Sequence, residues 1–156
     1  MSLSSGPGGP PPKAPLGASG GPPPASLKAL CALLALGLAL GHAELKGASP
    51  APGSRLKAPP KEVVLEFPEA FDPRLSSFAV YALGEVGDAK RAQGLAALLL
   101  AHPERGVRAD LGARVEGLRV RLRLKPLKPG AYAVVYRVLA LDTHATRGAY
   151  AFLYAP

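Results

Sequence analysis

Alternation is the feature that most constrains this chain. Arg119, Arg121 and Arg123 alternate with Val120, Leu122 and Leu124, the period of a strand with one wet face. Residues 126–130 then read as a turn, and Ala131–Leu141 places Tyr132, Val134, Tyr136 and Val138 on one face. Ala149–Ala155 repeats the pattern with Tyr150, Phe152 and Tyr154. A strand-period pattern cannot bury its apolar residues as a helix. Upstream, Glu62–Phe67 and Ser77–Leu83 are further runs rich in β-formers. Residues 42–46 are a candidate first strand, closed by the turn Ser49-Pro50-Ala51-Pro52-Gly53. Glu116–Leu124 reads as a single strand. Short strands separated by Pro/Gly turns imply an all-β domain, a sandwich or small barrel. One stretch dissents: Ala89–His102, with Asp88 as N-cap and Pro103 as stop, predicts a short inserted helix with Leu95, Leu98 and Leu99 on one face.

The first quarter of the chain is different material. Residues 1–26 hold 14 Gly or Pro, no aromatic and one charge, Lys13. Such a segment cannot bury enough apolar surface to offset its ordering entropy, so it reads as a disordered extension. An apolar run of 12 residues, 29–40, follows Lys28. It is too short to span a bilayer and suits a secretory signal over residues 27–41, with Ala39 and Gly41 as the small residues before a cleavage point. The Gly/Pro-rich stretch is odd for the start of a signal, and translation beginning near Leu27 would account for it. Cleavage after Gly41 leaves a mature domain of residues 42–156 beginning at His42. Cleavage after Ala43 satisfies the same small-residue rule and removes that histidine.

The chain's one Cys and one Met, Cys31 and Met1, both precede the cleavage point. A disulfide framework, a zinc ribbon and sites built on several sulfur ligands are therefore excluded. Residues 42–156 carry 17 Lys or Arg against 11 Asp or Glu, a net of +6. The basic residues are scattered and no aromatics are interleaved for stacking, so the Arg119–Arg123 ladder reads as a solvated sheet face and not a nucleic-acid surface.

Three histidines remain for chemistry. His102 closes the predicted helix, where a cation is favoured by the dipole, and reads as structural. His144 lies in Asp142-Thr143-His144. Were the strand to continue through it, the carboxylate and imidazole would project on one side, a two-ligand platform for a divalent metal. Alone the pattern is weak, and an Asp orienting a His by hydrogen bond at a strand end explains it better. An N-terminal His42 adds an α-amine and a ring nitrogen that together close a chelate. With Asp142 and His144 this gives three nitrogens and one oxygen, a set that favours Cu(II).

The opening His42-Ala43-Glu44-Leu45 with Ser49-Pro50-Ala51-Pro52-Gly53 resembles that of the CopC family of exported copper-binding proteins. In the same order follow Val64-Leu65-Glu66-Phe67-Pro68-Glu69, the run Gly130–Val138, Asp142-Thr143-His144, and Gly148 before Phe152. The resemblance implies a Greek-key β-sandwich of about seven strands, immunoglobulin-like or cupredoxin-like in kind. It implies a Cu(II) site of His42, Asp142 and His144, with Glu69 as an outer ligand. It further implies a periplasmic or otherwise exported monomer serving copper homeostasis, resistance or delivery to an inner-membrane copper transporter of the CopD type. This sequence departs from the family in Tyr136 for a usual Trp, Thr143 for a usual Gly, and a longer region 88–112 that could cover the site or dock a partner. It also lacks the methionines of a Cu(I) site.

Two other classes compete. A terminal histidine with a second one also marks copper oxygenases that cleave polysaccharides. Those need an open coordination position, which an equatorial Asp142 would fill, so no enzyme is expected. A metal-free immunoglobulin-like structural domain would leave His42 and the Asp-x-His pair unexplained.

Overall fold

The computed structural model describes residues 45–156. The expectations for the extension, the signal segment, the cleavage point and His42 lie outside the described residues. Nine strands and one α-helix follow in order: β1 Gly47–Ser49, β2 Arg55–Leu56, β3 Glu62–Glu66, β4 Ser77–Gly84, α1 Ala89–Ala101, β5 Val107–Arg108, β6 Asp110–Glu116, β7 Arg119–Leu124, β8 Gly130–Leu139 and β9 Ala145–Tyr154. They form a four-stranded sheet, β1-β3-β7-β6, and a five-stranded sheet, β2-β9-β8-β4-β5. Seven strands carry the sandwich, and β2 and β5 are two-residue additions at the edges.

Period-2 patterning decides which side chains meet between the sheets. Val63, Leu65, Val120, Leu122 and Leu124 from one sheet face Phe78, Val80, Tyr132, Val134, Tyr136, Tyr150 and Phe152 from the other. Removing such side chains from water contributes about 1.5–3 kcal/mol each. The opposite face of the four-stranded sheet is wet, as the arginine alternation requires. There Arg119 pairs with Glu66 at 2.6 Å and Arg121 with Glu62 at 2.8 Å.

The five-stranded sheet is covered on both faces. Its outer side presents small residues, Ala79, Ala131, Ala133 and Ala151, against Ala92, Ala96 and Leu99 of α1. The helix is where the sequence places it, and Asp88 caps it by accepting from the N–H groups of Lys90 and Arg91. Its buried face differs from the expected one: Ala92 and Ala96 are sealed while Leu98 is 60% exposed. Alanines on both surfaces let helix and sheet approach closely, which a leucine stripe would prevent. Gln93 then fastens the helix to β9, donating to Ala149 O at 2.9 Å and accepting from Ala151 N at 3.1 Å.

Several strand boundaries depart from the sequence reading. β8 ends at Leu139, two residues before the expected end, and β9 begins at Ala145, four residues before the expected start. The first strand is Gly47–Ser49, and Leu45 and Lys46 precede it. The run Glu116–Leu124 is the end of one strand and all of another. Gly117, with φ +64°, and Leu118 turn β6 into β7, a reversal for which glycine has little steric cost. β6 itself escaped notice because Leu111–Arg114 are exposed and show no alternation.

Asp110 opens β6 and is 4% exposed. Its carboxylate accepts from Val80 N at 2.9 Å, from Gly112 N at 2.9 Å, and from Arg108 Nε and Nη2 at 2.8 and 2.7 Å. Burial works to raise its pKa, but the Arg108 pair and the two backbone donors outweigh that and hold the carboxyl below the ordinary aspartate value. Tyr150 is the opposite case. Its hydroxyl is buried with no hydrogen-bond partner among the described residues, and burial drives its pKa upward.

Candidate metal centre

The Asp-x-His sequence occupies the turn between β8 and β9, not a strand. Thr143 N donates to Ala140 O, and Ala140 N to His144 O, both at 2.9 Å. These bonds enclose a three-residue loop, Leu141-Asp142-Thr143, of the kind that places its last residue in the left-handed region. Thr143 is there, with φ 72°. A β-branched residue in that conformation is strained by about 1–3 kcal/mol. This accounts for glycine as the family's usual residue at the position. Thr143 Oγ1 also donates to Asp142 O.

Because the chain turns here, Asp142 and His144 are not related as i and i+2 on one strand face. Asp142 Oδ1 instead accepts the backbone N–H of His144 at 3.0 Å. The aspartate therefore orients the histidine's backbone and leaves the imidazole itself without a protein hydrogen bond among the described residues. Both residues are exposed.

Glu69 comes to the same place through a second segment. Leu141 N donates to Ala70 O at 3.2 Å, Asp72 N to Leu139 O at 2.8 Å, and Phe71 bridges to Ala140. Residues 70–72 thus run beside the end of β8. Beneath them Phe67, Phe71 and Phe78 pack edge to face or tilted, with centroids 5.2–5.8 Å apart, and Tyr136 meets Phe67 at 5.7 Å. This aromatic floor holds the Pro68-Glu69 loop against the turn. A cavity of about 150 Å³ results, lined by Phe67, Pro68, Glu69, Val138, Ala140, His144 and Thr146. Glu69 and His144 both line it, whereas Asp142, on the same turn, does not. Thr146, two residues beyond His144 on β9, also lines the wall. The sequence reading missed it, although its pairing with Val138 follows from the alternation.

Gly148 is explained by Tyr136. The two are directly paired across β8 and β9, and a Cβ on Gly148 would sit 2.3 Å from the Tyr136 hydroxyl. The long region 88–112 does not cover the cavity; none of its residues lines it.

The described chain begins at this end. Lys46 N donates to Glu66 O at 2.7 Å, and β1 runs antiparallel to β3, so going back from Gly47 leads toward Phe67. Lys46 and Phe67 line one cleft. Among the described residues no three His, Cys, Asp or Glu side chains form a metal-binding group. An imidazole and carboxylates at this end suit a borderline divalent ion given further nitrogen donors.

A family model, the CopC domain, matches residues 45–155. The chain belongs to the CopC family. This CopC domain is similar to a crystal structure of CopC from Methylosinus trichosporium OB3b, with 26% identity and a TM-score of 0.54, over 72% of this chain and 92% of that one. It shares its fold with PcoC, a methionine-rich copper resistance protein from Escherichia coli, at 21% identity and a TM-score of 0.52, over 72% and 97% of the two chains. No curated protein matches the chain. The β-sandwich expected from alternation and from the resemblance is thus the fold of this CopC domain.

Proposed function

We propose that this CopC domain binds Cu(II) outside the cytoplasm, as a carrier and not an enzyme, with His42, Asp142 and His144 as ligands and Glu69 as an outer ligand. The observation that carries the reading is the cavity shared by His144 and Glu69 at the end where β1 leads back to the N-terminal segment. His42 lies three residues before Leu45, within about 11 Å of extended chain. A signal over residues 27–41 cleaved after Gly41 would free its α-amine, and amine and ring nitrogen would then supply the donors the described residues lack.

In this reading the sandwich holds His144 and Asp142 in a turn that needs no reorganisation, and the ion recruits the N-terminal arm. Three nitrogens and a carboxylate oxygen favour Cu(II) over other divalent ions of the first row. Without thiol or thioether in residues 42–156, Cu(I) is held poorly. The cargo is then buffered, or passed to an inner-membrane transporter of the CopD type, by a monomeric carrier.

N-terminal sequencing of the secreted form, with Cu(II) titration followed by electron paramagnetic resonance, tests this. The expected product begins at His42 and shows a tetragonal spectrum with nitrogen couplings, weakened in His42→Ala, Asp142→Ala and His144→Ala alike. Equal weak binding by all four proteins, or a product beginning at Glu44, refutes it.

A further inference from the structure

The two ends of the sandwich differ in charge. At the end away from His144, two loops cross between the sheets. Residues 57–61 lead from β2 to β3, and residues 125–129 lead from β7 to β8. Leu124 N donates to Lys61 O, Ala155 N to Leu56 O, and Gly130 pairs with Tyr154, so both loops cap the same end. Together they present Lys57, Lys61, Lys125 and Lys128, all exposed. None of the four is in an ion pair among the described residues; Lys125 Nζ only donates to the carbonyl of Arg108, at 3.1 Å. The acidic side chains nearby are few. Asp110 is consumed by Arg108, Glu62 pairs with Arg121, Asp88 caps α1, and Glu85 lines the cleft beside Lys125 and Lys128.

We propose that this lysine end is a docking surface for a bilayer rich in acidic phospholipid. The chemistry of the patch selects among anionic partners. Protein interfaces are depleted in lysine and anchored by aromatics or arginine, and single-stranded nucleic acid needs stacking platforms. Here the protruding groups are four flexible ammonium ions on loops that also expose Pro59, Pro126 and Pro129. Lys125 and Lys128 stand on the lining of an open cleft shared with Glu85, Arg108 and Tyr132, and Lys57 and Lys61 lie outside it. Ammonium groups spread in this way over one end of the sandwich suit a diffuse layer of phosphate headgroups, where each lysine contributes about a fivefold gain in partitioning. The ten residues of β8, at about 3.3 Å each, put the Asp142 turn about 33 Å from this surface. A docked molecule holds that turn out in the aqueous phase. The inference stands on the lysines and the topology and does not depend on copper.

Co-sedimentation of the full chain with vesicles tests it. Vesicles of phosphatidylcholine alone are compared with vesicles containing about one-third phosphatidylglycerol, so that any contribution of the apolar segment 29–40 is common to both. The wild type is expected to partition at least about tenfold better onto the acidic vesicles, with the gain lost at high salt. Replacing Lys57, Lys61, Lys125 and Lys128 together by Gln removes that gain. Replacing Lys90, Arg91, Arg105 and Arg147 by Gln, an equal loss of charge elsewhere, keeps most of it. The Lys57→Gln/Lys128→Gln double variant loses an intermediate share, which keeps the test open should the quadruple variant melt early. Equal wild-type binding to both vesicle types, undiminished binding by the lysine variants, or equal loss in the control overturns the proposal. So does retention on immobilised polyglutamate without preference for acidic vesicles, which would point to an acidic protein.

Discussion

Two corners of this sandwich use the same local device and end with opposite properties. At the β5–β6 corner Asp110 accepts the N–H of Gly112, and at the β8–β9 turn Asp142 accepts the N–H of His144, each two residues on. Asp110 also receives Val80 N and two donors of Arg108, and is sealed from water. Asp142 makes the one bond and is exposed. The first carboxylate has spent its acceptor capacity on the fold. The second keeps lone pairs for something else. An aspartate in a turn is thus a ligand candidate only when its second oxygen is unoccupied.

The contrast can be broken at several points. Asp110→Ala leaves the buried Val80 N–H and the part-buried Gly112 N–H without their acceptor and frees the half-exposed Arg108, and should cost about 1–3 kcal/mol of stability, read by chemical denaturation. Its acid sensitivity has a definite sign. Because the folded carboxyl titrates below its unfolded value of about 4, its stabilisation is complete above that value. It is lost as pH falls through the depressed folded one. Asp110→Asn should therefore lose the part of the acid-unfolding slope that this group supplies. Were Asp142→Ala to destabilise as much as Asp110→Ala, the two corners would not differ in kind. The expected outcome is a stability change of about 1 kcal/mol or less, the net value of one exposed hydrogen bond, with Cu(II) affinity clearly reduced if Asp142 is the ligand proposed above. Thr143→Gly relieves the left-handed strain and should raise stability by about 1 kcal/mol, a shift in melting temperature of several degrees. The smallest effect is Tyr150→Phe. Removing a buried hydroxyl with no described partner should leave stability within about 1 kcal/mol of wild type or slightly above it.

The sandwich was legible because each of the long strands buries one face, so burial and alternation carry the same message in Tyr132 to Val138 and in Tyr150 to Tyr154. β6 was not, because an edge strand with Leu111 exposed has no buried face to write an alternation. The helix is legible in its cap and its stop, but of Leu95, Leu98 and Leu99 only Leu99 is buried, beside Ala92 and Ala96. Leucine is the usual mark of burial, and here the sheet beneath is alanine-rich. Of the candidate site, the Asp-x-His pair and Glu69 were visible as residue types. Their geometry was not, because the left-handed Thr143 turns a strand pattern into a loop. Thr146 and the phenylalanine floor form the cavity wall through long-range pairing that no local window reveals.

Gln93 has a consequence beyond holding the helix. The outward N–H and C=O groups of β9 near Ala149 and Ala151 are an incomplete ladder of the sort that recruits a foreign strand. A single amide closes it, answering one donor and one acceptor, and Gly53 N meets the remaining carbonyl. The inserted helix therefore works as a guard against self-assembly. Without that amide the domain would carry an open seam for aggregation along β9, which at ten residues equals β8 in length.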